Sequence, residues 1–149
     1  MSQKLYANTG RITLEGAKLL AGAARDEAQK RRLPGAVAVV DDGGNLVYVE
    51  RWDGTMPNAP KIAIDKATTA VGFGRPTIRI EEAILKGRTP MLSLSNTVDY
   101  APLMGGYPVE MDGIIVGAFA IAGALTGEND EMIAVEALKV LNANQKVAF

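Results

Sequence analysis

Residues 34–54 read PGAVAVVDDGGNLVYVERWDG and predict two antiparallel strands joined by a tight turn. The first strand, residues 36–40, is a short apolar run rich in valine, whereas the second, residues 46–52, alternates between two faces. Between them, residues 41–45 are aspartate, glycine and asparagine, which tolerate the positive φ angles of a hairpin turn. We therefore expect this hairpin to be the central pair of an antiparallel sheet.

Helices are predicted on both sides of the hairpin, because apolar residues recur at helical spacing. The first helix runs from Ile12 to Arg31, with Thr13 as its cap and a buried stripe rich in alanine. The second runs from about Pro60 to Phe73 and ends at Gly74. A short third helix runs from its cap, Thr77, to Leu85 or Lys86. Helical layers therefore surround the hairpin.

A second hairpin and a last helix follow. Residues 107–111 and 114–123 are the predicted strands, joined by an Asp-Gly turn. The last helix is capped by Thr126 or Asn129 and ends near Asn142. This order of elements predicts a single α+β domain over the whole chain.

Three stretches receive no regular element. Residues 88–101 fit either a helical turn or a short extended piece, and both interpretations stay open. Residues 1–11 and 144–149 are predicted to be loose ends.

Composition narrows the classes of function. The formal net charge of −1 predicts no general attraction to nucleic acid or to an anionic membrane. The chain has no cysteine, which excludes disulfides and thiolate chemistry. It also has no histidine, which excludes a Ser-His-Asp triad, a histidine zinc site and a histidine-ligated haem. No signal peptide or membrane-spanning apolar run is recognisable, so we expect a cytoplasmic protein.

Four pieces of the sequence, taken in order, carry a resemblance to a known family. They are AVAVVD at 36–41 with Gly43-Gly44 and Leu46-Val47, RWDG at 51–54, KATTA at 66–70 with Pro76-Thr77, and GGYPV at 105–109 with Gly113 and VGA at 116–118. Together they resemble the GlcG/HbpS-like family of haem-binding proteins, which includes the C-terminal domain of PduO. The resemblance extends from about Thr13 to Leu138.

The resemblance implies a profilin-like fold, with a five-stranded antiparallel sheet and helices on both sides. It also implies a homo-oligomer. Some members of the family bind haem, and some are linked to redox sensing or to degraded haem. Others are encoded among genes for glycolate, propanediol or aromatic catabolism.

The absence of histidine separates this chain from relatives that hold haem through that residue. If haem binds here, an oxygen, a methionine sulfur, a lysine or water must take the axial position. The residues considered for that position, all in or beside predicted loops, are Met56, Thr77, Tyr100 and Tyr107.

Polar residues at the ends of elements predict a small-molecule pocket. Its expected members are Arg51 and Asp53 after the first hairpin, Lys66 and Thr69 on the second helix, Thr77, and the loop residues Gly105, Gly106 and Tyr107. If these groups converge, Arg51 could bind a carboxylate bidentately. A partly desolvated Lys66 could act as a base or form a Schiff base. Lys66 and Arg51 are therefore the predicted catalytic residues.

Each feature also has a plainer structural interpretation. Arg51 and Asp53 could form an ion pair, Lys66 could extend to water, and Gly105-Gly106 could serve a turn. The acids Glu128, Asp130 and Glu131 resemble a metal site, but acids at a helix start are expected from the helix dipole. We therefore predict no metal site.

Three classes of function remain open. The first is a haem- or tetrapyrrole-binding protein, which the resemblance favours. The second is a cofactorless enzyme or accessory protein that acts by proton transfer on a small carboxylated metabolite. The third is a structural subunit of an oligomer. The predicted partners are a small molecule and further copies of the chain, with haem as the candidate cofactor.

Overall fold

The computed structural model describes residues 3–147, and its sheet has four antiparallel strands. They are β1 (Ala36–Asp41), β2 (Leu46–Arg51), β3 (Gly106–Met111) and β4 (Ile114–Ala122), in the order β2-β1-β4-β3. The two predicted hairpins are thus confirmed. The first hairpin is not the central pair, however, because β1 pairs with β4 from Ala36–Ala122 to Asp41–Gly117 and leaves β2 at the edge.

The expected fifth strand is absent from the described residues 3–147. Beyond the end of β1, the free side of β4 is contacted by the chain before the first helix. The Ile12 N–H donates to the Val116 carbonyl at 2.9 Å. One backbone hydrogen bond is not enough to form a strand. The sheet therefore has four strands, and the profilin-like description stays a prediction.

Four α-helices and one 3₁₀ helix complete the described part of the chain. They are α1 (Leu14–Lys30), α2 (Ala59–Phe73), α3 (Thr77–Leu85), the 3₁₀ helix Thr89–Asn96 and α4 (Gly127–Val147). The Thr13 hydroxyl accepts the Gly16 N–H at 3.0 Å, so the predicted cap of α1 is confirmed. Thr126 accepts the Asn129 N–H at 3.1 Å and caps α4. Gly74 ends α2 in the left-handed region, with φ +64°.

Two predictions at helix ends were wrong. Thr77 does not cap α3, because it is the first helical residue and its hydroxyl accepts the N–H of Gly106 instead. Residues 144–147 are not loose, because α4 continues to Val147. Residues 148–149, like residues 1–2, lie outside the described range, and residues 3–11 have no regular secondary structure.

The two faces of the sheet bury different side chains. On β1, Ala36, Ala38 and Val40 face α2, which presents Ala63, Ala67 and Ala70 to the sheet. Val37 and Val39 face the other way, into a core that includes Leu20 of α1, Phe119 and Ile121 of β4 and Ile133 of α4. Alanine predominates on both surfaces, so α2 packs closely over β1 and β4.

Within the described part of the chain, no helix combines the length and the apolar composition that crossing a membrane requires.

Candidate functional site

Five of the predicted site residues meet in one place, where β3 begins beside the end of β4. We call this place the Lys66 junction; its members are Lys66, Thr77, Gly105, Gly106, Tyr107, Asp130 and Glu131. Asp130 and Glu131 come from the first turns of α4 and were not predicted as site residues. Helix α2, the sheet edge and α4 therefore converge here.

Lys66 is buried at the junction and does not extend to water, since only 2% of it is exposed. Its Nζ donates to the carbonyl of Ile121 and to Oδ2 of Asp130, each at 2.9 Å. The other carboxylate oxygen of Asp130 accepts the Ala124 N–H at 2.9 Å. Burial raises the pKa of Asp130, and the Lys66 ammonium and the Ala124 N–H partly offset that effect. The ion pair thus connects α2 to α4, which lie on opposite faces of the sheet.

The glycine pair makes room for this connection. A Cβ on Gly105 would lie 2.8 Å from the Ile121 carbonyl oxygen and 3.2 Å from Lys66 Nζ. A Cβ on Gly106 would lie 2.9 Å from the backbone oxygen of Lys66. The Gly105 N–H donates to Glu131 and the Gly106 N–H to Thr77, at 3.0 and 2.9 Å. Both amides are therefore already engaged within the protein.

Tyr107 is also held by helix α4. Its hydroxyl donates to Oε2 of Glu131, whose Oε1 accepts the Gly105 N–H. Burial, and then the Glu131 carboxylate, raise the pKa of Tyr107 above its ordinary value. The phenol is therefore neutral near physiological pH, and it orients the start of β3 against α4.

The acids of α4 have separate partners and do not share a site. Asp130 pairs with Lys66, whereas Glu131 binds Tyr107 and Gly105. Among residues 3–147, no group of three acidic side chains is close enough to hold one metal ion. The sequence signal for these roles was weak, because acids in a first helical turn are expected from the dipole alone.

Arg51 and Asp53 do not join the junction. Both are exposed, and among the described residues neither side chain makes an ion pair or a hydrogen bond. The residues that follow them, Gly54, Thr55 and Met56, line a cleft of about 580 Å³ together with residues 123–127 and Asp130. The expected convergence thus occurs for the second helix and the glycine loop, but not for the Arg51–Asp53 pair.

A second and more apolar cavity lies between α2 and the segment after the 3₁₀ helix. This Tyr100 cavity has a volume of about 320 Å³ and is lined by Thr68, Thr69, Gly72, Phe73, Leu94, Val98, Asp99 and Tyr100. Thr69, a predicted ligand-binding residue, lies in its wall. The Thr69 hydroxyl accepts the Ala101 N–H at 2.9 Å and donates to the Asp65 carbonyl at 2.7 Å. Thr69 therefore fixes the wall rather than offering a free hydroxyl.

The Tyr100 hydroxyl is buried and has no hydrogen-bond partner among residues 3–147. The two other buried side-chain atoms of this kind, on Glu81 and Gln145, belong to residues outside the cavity lining. The Tyr100 ring packs against Phe73 with centroids 6.0 Å apart, and burial raises the pKa of the phenol. An unpaired buried polar atom is costly, so it needs an explanation in the function or in the packing.

Comparisons with known proteins point to one family. Residues 12–139 match the sequence model of the family described as "Haem degrading protein HbpS-like". Protein GlcG of Escherichia coli K12 is 39% identical over 115 residues, which are 74% of this chain and 81% of GlcG.

Solved structures agree with that match. The Klebsiella pneumoniae protein ORFY superposes with a TM-score of 0.88 at 28% identity, over 96% of this chain and 99% of ORFY. A PduOC:Heme complex superposes with a TM-score of 0.80 at 26% identity, over 89% of this chain and 96% of PduOC. The family match spans most of the chain, and we conclude that the protein belongs to the HbpS-like family.

Proposed function

We propose that this protein binds haem, or a closely related flat tetrapyrrole, in the Tyr100 cavity. The observation that carries the proposal is the buried Tyr100 hydroxyl in the wall of an apolar cavity, which has no hydrogen-bond partner among residues 3–147. Ligand pockets are typically apolar concavities of about 300–1,000 Å³ with a few polar groups that fix orientation. Membership of the HbpS-like family and the likeness to a PduOC:Heme complex support haem as the occupant.

The four residues considered as axial ligands differ in what their donor atoms already do. The hydroxyls of Thr77 and Tyr107 are engaged by Gly106 and Glu131. Met56 is 46% exposed and lines the other cleft. Only Tyr100, of these four, combines an unengaged donor atom with an apolar cavity.

The chemistry of Tyr100 fits an iron porphyrin. A tyrosine oxygen is an established type of haem ligand, and bound iron would supply a redox-active centre. Burial raises the pKa of the Tyr100 phenol, so without a cation the hydroxyl stays protonated. The Tyr100 oxygen would become easier to deprotonate beside a bound metal ion, because the charge of the ion would favour the deprotonated form.

The proposal is tested by spectral titration of the full chain with haem. We expect a saturable change in the Soret band for the wild type. Tyr100→Phe should weaken binding by at least about tenfold, the loss typical of a disturbed metal site. Gly72→Leu should also weaken it, since Gly72 lines the cavity and a leucine adds bulk at the cavity wall.

Met56→Leu is the matched control, because it removes another candidate donor from a different cleft. Its haem affinity should equal that of the wild type. A wild type that gives no saturable Soret change would refute the proposal. Equal binding by the wild type, Tyr100→Phe and Gly72→Leu would place haem elsewhere on the protein.

Three further expectations from the sequence stay predictions. A proton-transfer role for Lys66 and Arg51 would require Lys66 to leave its pair with Asp130, and Arg51 lies outside the junction. The test is turnover of a small carboxylated substrate by Lys66→Ala and Arg51→Ala, in variants shown to be folded. Unchanged turnover in both variants would exclude that role. The other two expectations are self-association as a homo-oligomer and a cytoplasmic location.

A further inference from the structure

A polar groove adjoins the Tyr100 cavity. This polar shelf, of about 600 Å³, is lined by Gly43, Gly44, Asn45, Thr68, Ser95, Asn96, Thr97, Val98 and Asp99. It shares Thr68, Val98 and Asp99 with the cavity, so the two lie side by side. A ligand that extends from the cavity past these shared residues would meet the shelf.

The shelf offers hydrogen bonds but no positive charge. Its lining contains the Thr97 hydroxyl and the Asn96 amide, together with Ser95 and Asn45, whose donor groups already bind the Leu92 carbonyl and the Asp41 carboxylate. Its one ionisable side chain is the carboxylate of Asp99. Lysine and arginine, the usual partners of ligand carboxylates, are absent from this lining.

Two clusters of charged side chains lie near the shelf, and in each the acids outnumber the bases. On one side, the Lys61 ammonium donates to Asp65 at 2.8 Å, and its pKa is raised first by Asp65 and to a lesser degree by Asp99. Lys61 therefore faces two carboxylates. On the other side, next to Gly43, the turn carries Asp41 and Asp42.

The charges at the turn are arranged in the same way as those of Lys61 and its two carboxylates. Arg11 lies 2.7 Å from Asp42 and 3.8 Å from Asp41, so one guanidinium again serves two carboxylates. Each of these two clusters beside the shelf thus has one more negative charge than positive charge.

We propose that the polar shelf selects ligands whose outer edge is uncharged and hydrogen-bonding, such as a hydroxyl, amide or ester, over ligands with carboxylates there. This inference rests on the proposed tetrapyrrole site and names the ligand class that the site prefers. Haem carries two carboxylates, which Asp99 would repel. The same macrocycle with esterified side chains carries no such charge and would not be repelled. Repulsion at a partly hydrated surface is modest and is screened by salt.

The experiment compares two porphyrins on four forms of the full chain, at low and at high salt. The porphyrins are haem and haem dimethyl ester, and the proteins are the wild type, Asp99→Asn, Asp99→Lys and Asp26→Asn. Asp26 is the matched control, because it is an exposed aspartate on α1, on the opposite face of the sheet from α2.

For haem at low salt, we expect about threefold tighter binding by Asp99→Asn and about tenfold by Asp99→Lys, with both gains reduced at high salt. Asp26→Asn should match the wild type. The dimethyl ester should bind the wild type more tightly than haem does, and Asp99→Lys should remove that preference.

The outcomes separate the two proposals. Haem binding that is the same in the wild type and in both Asp99 variants overturns the selection by charge and leaves the tetrapyrrole site standing. An equal gain in Asp26→Asn also overturns it, because the effect would then reflect net charge alone. Failure of both porphyrins to bind the wild type overturns the tetrapyrrole site and this inference together.

Discussion

The Lys66 junction and the Tyr100 cavity both bury polar side chains against helix α2, but they differ in how those side chains are paired. At the junction, Lys66, Asp130, Tyr107 and Glu131 all have hydrogen-bond partners within the protein. In the wall of the cavity, the Tyr100 hydroxyl is buried and has none among the described residues. We interpret the first arrangement as a structural connection, and the second belongs to the proposed ligand site.

The difference shows why residue type alone does not identify a binding site. A lysine, an aspartate, a tyrosine and a glycine pair suggest chemistry in any sequence. Once their donors and acceptors are engaged, however, a ligand must break those bonds before it can bind. The four predictions below test this distinction, from the largest expected effect to the smallest.

Asp130→Ala should lower the free energy of unfolding by about 3–5 kcal/mol, because it leaves the buried ammonium of Lys66 without its partner. Urea denaturation measures the change. Asp65→Ala is the matched control, since it breaks an ion pair with the exposed Lys61 and should cost less than about 1 kcal/mol. Equal losses in the two variants would mean that the Lys66–Asp130 pair is not a structural connection.

Gly105→Ala should destabilise the protein by about 1–3 kcal/mol more than Gly87→Ala. The two glycines have similar φ angles, +116° and +112°, so the backbone strain of an alanine is matched. At Gly105 the Cβ would lie 2.8 Å from the Ile121 carbonyl oxygen, whereas at Gly87 it meets nothing within 4 Å. Equal denaturation midpoints for the two variants, by heat or by urea, would show that the junction accommodates a Cβ at Gly105 without a steric cost.

Tyr107→Phe should cost about 1–2 kcal/mol near pH 8, because the Glu131 carboxylate loses a donor. The folded-state pKa of Tyr107 is raised above its ordinary value near 10. The protonated phenol therefore stabilises the fold fully below pH 10, and this stabilisation is lost progressively as the pH rises from 10 toward the raised pKa. Above pH 10, the advantage of the wild type over Tyr107→Phe should narrow by up to about 1.4 kcal/mol per pH unit. Urea denaturation at pH 8, 9, 10 and 11 measures it, and a constant difference would contradict the raised pKa.

Tyr100→Phe should leave the free energy of unfolding unchanged or raise it by up to about 1 kcal/mol in the absence of ligand. The hydroxyl that it removes is buried and unpaired among the described residues, so no hydrogen bond is lost. The same substitution thus has opposite expected effects at Tyr107 and at Tyr100. A loss above about 1 kcal/mol at Tyr100 would show that its hydroxyl is engaged after all.

Much of the fold could be predicted from local sequence, because hairpin turns and helix caps depend on a few adjacent residues. The Asp41 carboxylate accepts the N–H groups of Gly43 and Asn45 within its own turn, at 2.9 and 3.0 Å. The order of strands depends on distant pairing instead. The sequence of β2 did not show that β4, about 70 residues later, would take the central place beside β1.

The site was harder to predict, because partners decide what a polar side chain can do. The structure brings Lys66, Gly105 and Tyr107 together, whereas their partners Asp130 and Glu131 were assigned to the helix dipole. Tyr100 was considered only as one of four axial candidates. Its cavity depends on the packing of residues 94–100 against α2, in a stretch with no decisive local pattern.

The most direct test is haem titration of Tyr100→Phe and Tyr107→Phe side by side with the wild type. The two variants lose the same hydroxyl group, one from the cavity and one from the junction. We predict at least about tenfold weaker haem binding for Tyr100→Phe and wild-type affinity for Tyr107→Phe, provided that both are folded. Weaker binding by Tyr107→Phe with wild-type affinity in Tyr100→Phe would contradict the assignment of the ligand to the Tyr100 cavity.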